Sequence, residues 1–264
     1  MRNYRIKKNS EVSTEMSVLE HLEEIRKRLI YCIIVFFISL VFGFSVSIPV
    51  IEQLKNDPIA KDIPWNVFAI TDGLQVYLKA SFIISFVFVV PFSMYQLWAF
   101  LKPGLTEKER KVSIVCIPFI ILFIISGIFF SYYIVFPFIL KFLGTITHMI
   151  GAEEMYGIKQ YFDLLFKVVI SICILFQLPV IVVFFTQIGL LTPDFLKRSR
   201  KISYVILTVL SALITPPDFV SQLIVLLPLI LLFELSVTIS TLVYKKKEGE
   251  RPISQEKLKN KKLT

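Results

Sequence analysis

Six apolar segments divide the chain, at roughly 29–49, 76–101, 112–140, 161–186, 202–214 and 219–243, with polar stretches between them. A helix that crosses a bilayer needs about 20 predominantly apolar residues, so this pattern predicts an all-α polytopic membrane helical bundle with six transmembrane helices. The segments are unequal. Residues 112–140 would form a helix of ~43 Å, longer than the ~30 Å hydrocarbon core, and should tilt or protrude. Residues 202–214 would reach only ~20 Å. That segment must thin the bilayer locally or pair with the next one as a re-entrant hairpin. Pro91, Pro118, Pro137, Pro179 and Pro228 lie inside the segments, and each removes a backbone donor and bends its helix. Pro216-Pro217-Asp218 predicts a tight turn between the last two. Kinked helices and a short final pair favour a concave, glove-like shape. The chain thus divides into an N-terminal segment at 1–28, a membrane domain at 29–244 and a basic tail at 245–264, polar enough to be expected disordered.

The stretch from Leu19 to Leu29 precedes the first apolar segment. Leu19, Leu22, Ile25 and Leu29 recur at helical spacing. Glu20, Glu23 and Glu24 come first and Arg26, Lys27 and Arg28 follow, the order a helix dipole favours. The pattern describes an amphipathic helix at the membrane surface feeding the first span. The plainer reading of Glu24 is an i,i+4 pair with Arg28, worth a few tenths of a kcal/mol.

Composition agrees with the membrane class: 55% of the 264 residues are hydrophobic and 25 are Phe, with a mean hydropathy of +0.72. The net charge of +9 would suit a nucleic-acid partner, but its distribution does not. Lys and Arg number seven in the N-terminal segment, then two, four, two, four and none in successive loops, and eight in the tail. This alternation predicts both termini on the cytoplasmic side of a multi-pass inner-membrane protein, with anionic lipid as a further attraction and no nucleic acid as a partner. Ser45-Val46-Ser47 would pass as a signal-peptidase site, but about 28 polar residues precede the first apolar run, which reads as an uncleaved span. Cys32, Cys116 and Cys173 sit in apolar segments without metal-ligand or disulfide spacing. No catalytic fingerprint is present, so neither enzyme chemistry nor a cofactor or metal is expected.

Two carboxylates on the expected cytoplasmic side stand out, Glu24 and Glu109, the latter within Pro103-Gly104-Leu105 to Glu109-Arg110. A carboxylate on a rigid face is the natural receptor for a guanidinium fork. A local ion pair is the alternative for Glu109. Inside the apolar segments lie Gln177 and Glu234, and an Asp163–Lys167 pair at i,i+4 spacing that could self-neutralise. Gln177 could be interhelical glue or a docking point for a partner helix. A small-solute transporter or channel is the competing class, but two polar side chains make a poor pathway and no internal repeat is visible. A purely structural scaffold is the third reading.

These residues carry a family resemblance. His21-Leu22-Glu23-Glu24-Ile25-Arg26-Lys27-Arg28-Leu29 comes first, then Pro91 with Tyr95-Gln96-Leu97-Trp98-Ala99-Phe100, and the Pro103–Arg110 loop. Phe136-Pro137, Phe176-Gln177-Leu178-Pro179, Thr215-Pro216-Pro217-Asp218, Ser221-Gln222 and Phe233-Glu234 follow in order. The chain resembles TatC, the receptor subunit of the twin-arginine protein translocase, from about Leu19 to Tyr244. The resemblance implies binding of twin-arginine signal peptides on folded cargo, recruitment of single-span TatA-type (or TatB-type) subunits, transport driven by the proton gradient, and a homo-oligomer within the receptor complex. It implies that Glu24 and Glu109 bind the signal, with Arg26 and Phe100 beside them. Gln177, Pro179 and Gln222 become the partner-docking set, and His21, Arg28, Pro91, Pro137, Asp218 and Glu234 the motif residues. Many family members carry Glu where Gln177 stands; an amide exchanges hydrogen bonds but cannot titrate.

Overall fold

The structure, a computed structural model, describes residues 18–61, 63–101, 116–216 and 218–249. The first helix, α1, runs unbroken from Val18 to Asn56. The amphipathic stretch and the first span are therefore one rod rather than two elements. No proline interrupts it before Pro49. Helix α2 covers Asp72–Leu101 and contains Pro91. The third apolar segment is a composite: α3 at Cys116–Phe130, a π-helical turn at Ser131–Val135, and α4 at Phe136–Met149 with Pro137 in its first turn.

The fourth segment also divides, into α5 at Ile158–Leu175 and α6 at Leu178–Gln187. The break falls at Phe176-Gln177, where Pro179 has no amide hydrogen to continue the ladder. Gly189, at φ +82°, turns the chain into α7 at Pro193–Arg198, which Thr192 caps by accepting from the Phe195 amide at 3.3 Å. Helix α8 spans Arg200–Ile214 and α9 spans Phe219–Gly249. α9 continues five residues past the boundary that polarity alone would set at 244.

Among the described residues five helical stretches are long and apolar enough to cross a membrane: Leu22–Asn56, Asp72–Phe100, Pro118–Met149, Ile158–Gln187 and Phe219–Lys245. The sixth apolar segment, α8, has 15 residues, or about 22 Å. It lies against α9 as the short member of the final pair.

Packing is uneven along the bundle. Only 6% of the apolar window of α1 is buried, against 50% for α5–α6. α1 is therefore a lipid-facing arm held mainly by α2, and α5–α6 is the central post. The α1–α2 seam is close: a Cβ on Gly43 would lie 2.4 Å from the Ser81 carbonyl oxygen. Across it the Ser85 hydroxyl donates to Phe36 O at 3.1 Å and the Tyr77 hydroxyl to Phe44 O at 3.2 Å. The main core joins Val135 and Ile139 to Val168 and Ile172, and then to Leu207, Val225 and Leu229.

At the end of the bundle away from Val18, two loops close over the helices. Asn66 donates to Tyr156 O at 3.3 Å and accepts from Ile158 at 2.8 Å. Trp65 stacks on Phe162 with ring centroids 5.9 Å apart. The Glu154 carboxylate accepts from the Tyr156 hydroxyl at 2.6 Å and lies 3.2 Å from His148 Nε2. Burial, together with this bond, pushes the Tyr156 phenol up to about 12.

One expected pairing is corrected here. Asp163 does not turn to Lys167. It lies 2.6 Å from Lys79 of α2 and 3.5 Å from Lys159 on the preceding turn, while Lys167 is exposed. The contact between α2 and α5 brings in a cation that spacing along one helix could not reveal.

Candidate functional site

Glu24 and Arg28 sit one turn apart on α1 and face the last turns of α2. The Arg28 guanidinium is held from three sides. Its Nε and Nη2 donate to Glu24 Oε1, the former at 3.2 Å. Its Nη1 donates to Gln96 Oε1 at 3.2 Å, and Nη2 also reaches the Ala99 carbonyl at 2.8 Å. Charge-assisted bonds of this kind are among the stronger hydrogen bonds in proteins. Both side chains are mostly shielded, 23% exposed for Arg28 and 22% for Glu24. The neighbouring Lys27–Glu23 pair, at 2.9 Å, is 62% exposed on both sides.

The local ion pair that spacing allowed is thus formed, but it does not satisfy the acid. Glu24 Oε2 is buried and accepts no hydrogen bond. A carboxylate in this state has an oxygen to offer a second donor. Arg26 is exposed beside it and Phe100, half-buried, follows Ala99 on the same rim. Glu109 lies outside the described residues, as does the His21 side chain. Spacing singled out Glu24 and Arg28 and missed Gln96 and the Ala99 carbonyl. Gln96 belongs to the Tyr95–Phe100 motif, whose polar member at the end of an apolar helix was the available signal.

The other candidates lie elsewhere. Gln177, 3% exposed, starts α6 at the break and donates to the Ile120 carbonyl of α3 at 3.4 Å. Its Oε1 is buried without a partner, and Pro179 is buried two residues on. Gln222 on α9 donates to Thr208 O of α8 at 3.2 Å. Asp218 Oδ1 caps α9 by accepting from the Ser221 amide at 2.6 Å. Glu234 does not stand alone in lipid: Arg200 donates to it at 2.7 Å and the Tyr204 hydroxyl also bonds it. Gln222 and Glu234 thus hold the α8–α9 pair together, and Asp218 fixes the start of α9. Pro91 lies inside α2 and Pro137 in the first turn of α4. Among the described residues no three His, Cys, Asp or Glu side chains cluster as a metal site would require.

Comparison with known proteins gives one consistent picture. The family model described as Sec-independent protein translocase protein (TatC) matches residues 20–228. The Sec-independent protein translocase protein TatC of Halalkalibacterium halodurans is 41% identical over 92% of this chain and 96% of its own length. TatCy of Bacillus subtilis is 43% identical over 88% of this chain and 91% of its own. A crystal structure of the twin arginine translocase receptor TatC in DDM superposes with a TM-score of 0.76 at 32% identity, covering 84% of this chain and 99% of the other.

Proposed function

The chain belongs to the TatC family of Sec-independent protein translocase proteins, and on that premise we propose that it binds the paired arginines of signal peptides through Glu24 and Glu109. A translocase component of this kind is a receptor and not an enzyme. The observation that carries the reading is the Glu24 carboxylate, shielded on the rim with Oε2 unbonded. A guanidinium fits such a group because its planar fork offers two parallel donors to one carboxylate. Glu109 supplies the second acid from the segment that follows Leu101 in the sequence, with Arg26 and Phe100 flanking.

The apolar part of the signal then runs along the recess of about 360 Å³ between α1, α2, α3 and α5, whose walls include Val50, Ile84, Phe129 and Val169. TatA-type subunits, or a TatB-type relative, gather at Gln177, Pro179 and Gln222, beside the short α8 where the bilayer is thinnest. The receptor complex contains several copies of this chain, and the proton gradient drives passage. Both termini lie in the cytoplasm, which the alternation of basic loops supports.

Photo-crosslinking tests the binding reading directly. A twin-arginine peptide is expected to crosslink to the protein in membranes and a twin-lysine peptide to do so weakly. Glu24→Lys or Glu109→Lys should abolish the product while the protein still inserts. Undiminished crosslinking in the Glu24→Ala, Glu109→Ala double variant would refute the assignment.

A further inference from the structure

Resting on that reading of Glu24, we infer that Arg28 is a resident stand-in for the incoming arginine, a guanidinium of the receptor's own that occupies the carboxylate until a signal displaces it. The geometry distinguishes it from an ordinary helix ion pair. The Glu23–Lys27 pair beside it is exposed and stays within α1. Arg28 instead spends all three of its nitrogens: on Glu24, on the Gln96 amide oxygen and on the Ala99 carbonyl. That set of one carboxylate oxygen and two neutral oxygens, two of them contributed by another helix, is what a guanidinium site looks like when filled. The carboxylate oxygen it leaves bare, Glu24 Oε2, is where a second guanidinium can start.

Binding then proceeds as an exchange. The arriving arginine bonds Oε2 and takes over Oε1, and Arg28 is released from Glu24. No bond other than hydrogen bonds forms or breaks, and the site holds a cation before and after. The consequence is a higher threshold for binding. A lysine ammonium, a point charge without a fork, cannot match the paired bonds it must replace. The held competitor costs every ligand that must displace it the same factor, so the fork sets the ratio between ligands and the lock keeps the weaker one below occupancy at a given concentration. Release of Arg28 also frees Gln96 and Ala99, so occupancy of the rim is felt at the α1–α2 join.

The test measures equilibrium binding of labelled twin-arginine and twin-lysine peptides to the purified full chain in lipid nanodiscs, for the unmodified protein, Arg28→Gln, Gln96→Leu and Glu24→Gln. A lock closed nine-tenths of the time weakens apparent affinity about tenfold. Arg28→Gln should therefore tighten binding of both peptides by about that factor and leave the ratio between them unchanged. Gln96→Leu keeps Arg28 but removes one of its anchors, so it should tighten binding by a smaller factor; it carries the test alone if Arg28→Gln does not fold. Unchanged or weaker twin-arginine binding in the folded variants, with binding lost in Glu24→Gln, would overturn the stand-in and leave the receptor reading in place. Binding that survives Glu24→Gln would remove both.

Discussion

Glu24 and Gln177 have the same defect, one buried oxygen with no hydrogen-bond donor, and it means different things for the two. A carboxylate left half-satisfied retains its charge and so attracts a cation. An amide left half-satisfied has only a dipole, and its one bond, to Ile120 O at 3.4 Å, is long. Gln177→Leu removes the stranded oxygen and gives up only that long bond to a carbonyl inside α3. Gln177→Leu is therefore expected to change thermal stability by less than about 1 kcal/mol. Against that neutral background its effect on partners is readable: co-purification of TatA-type subunits should fall while signal-peptide crosslinking persists. Full partner recovery would leave Gln177 as a spacer at the α5–α6 break.

At the scale of elements, the seam between α1 and α2 matters most, because α1 has almost no other protein to lean on. Membrane helices gain little from apolar contact with one another, since lipid is equally apolar, and depend on close approach and a few polar bonds. Gly43 supplies the approach and Ser85 and Tyr77 the bonds. Gly43→Val puts carbon where the Ser81 carbonyl is backbone and cannot yield, so the helices must part. Overpacking of this kind costs about 1–3 kcal/mol. The expected outcome is a lower melting temperature in detergent, because this seam is what carries Arg28 of α1 to Gln96 and Ala99 of α2. A Gly43→Val protein as stable as the parent would show that the seam does not hold the rim. The π-turn at Ser131–Val135 and the break before Pro179 belong to this scale too. Each re-aims the following half-helix within one span.

For the whole molecule, the distribution of charge gives a prediction about sidedness. Loops rich in Lys and Arg alternate with poor ones, and the translocation machinery retains the former on the cytoplasmic side. Reporter fusions after Leu101 and after Arg198 should read cytoplasmic, and fusions within 57–71 and 150–157 should read external. Residues 102–115 found on the external side would end the receptor reading, since Glu109 could not meet a signal before export.

The sequence by itself determined the class, the number and order of apolar segments, the short penultimate one, the family and one side of the rim. Hydropathy is summed over a window, so a chain that must satisfy its backbone in lipid announces its helices locally. Glu24 with Arg28 was legible because one helix turn relates them. What only the tertiary structure decided is how those helices are rotated and where they touch. The arrival of Gln96 and Ala99 at Arg28, of Lys79 at Asp163 and of Arg200 at Glu234 each joins residues at least 34 positions apart. Such meetings depend on the close crossing at Gly43, the π-turn and the breaks, which set helix rotation, and rotation leaves no trace in the hydropathy of either partner.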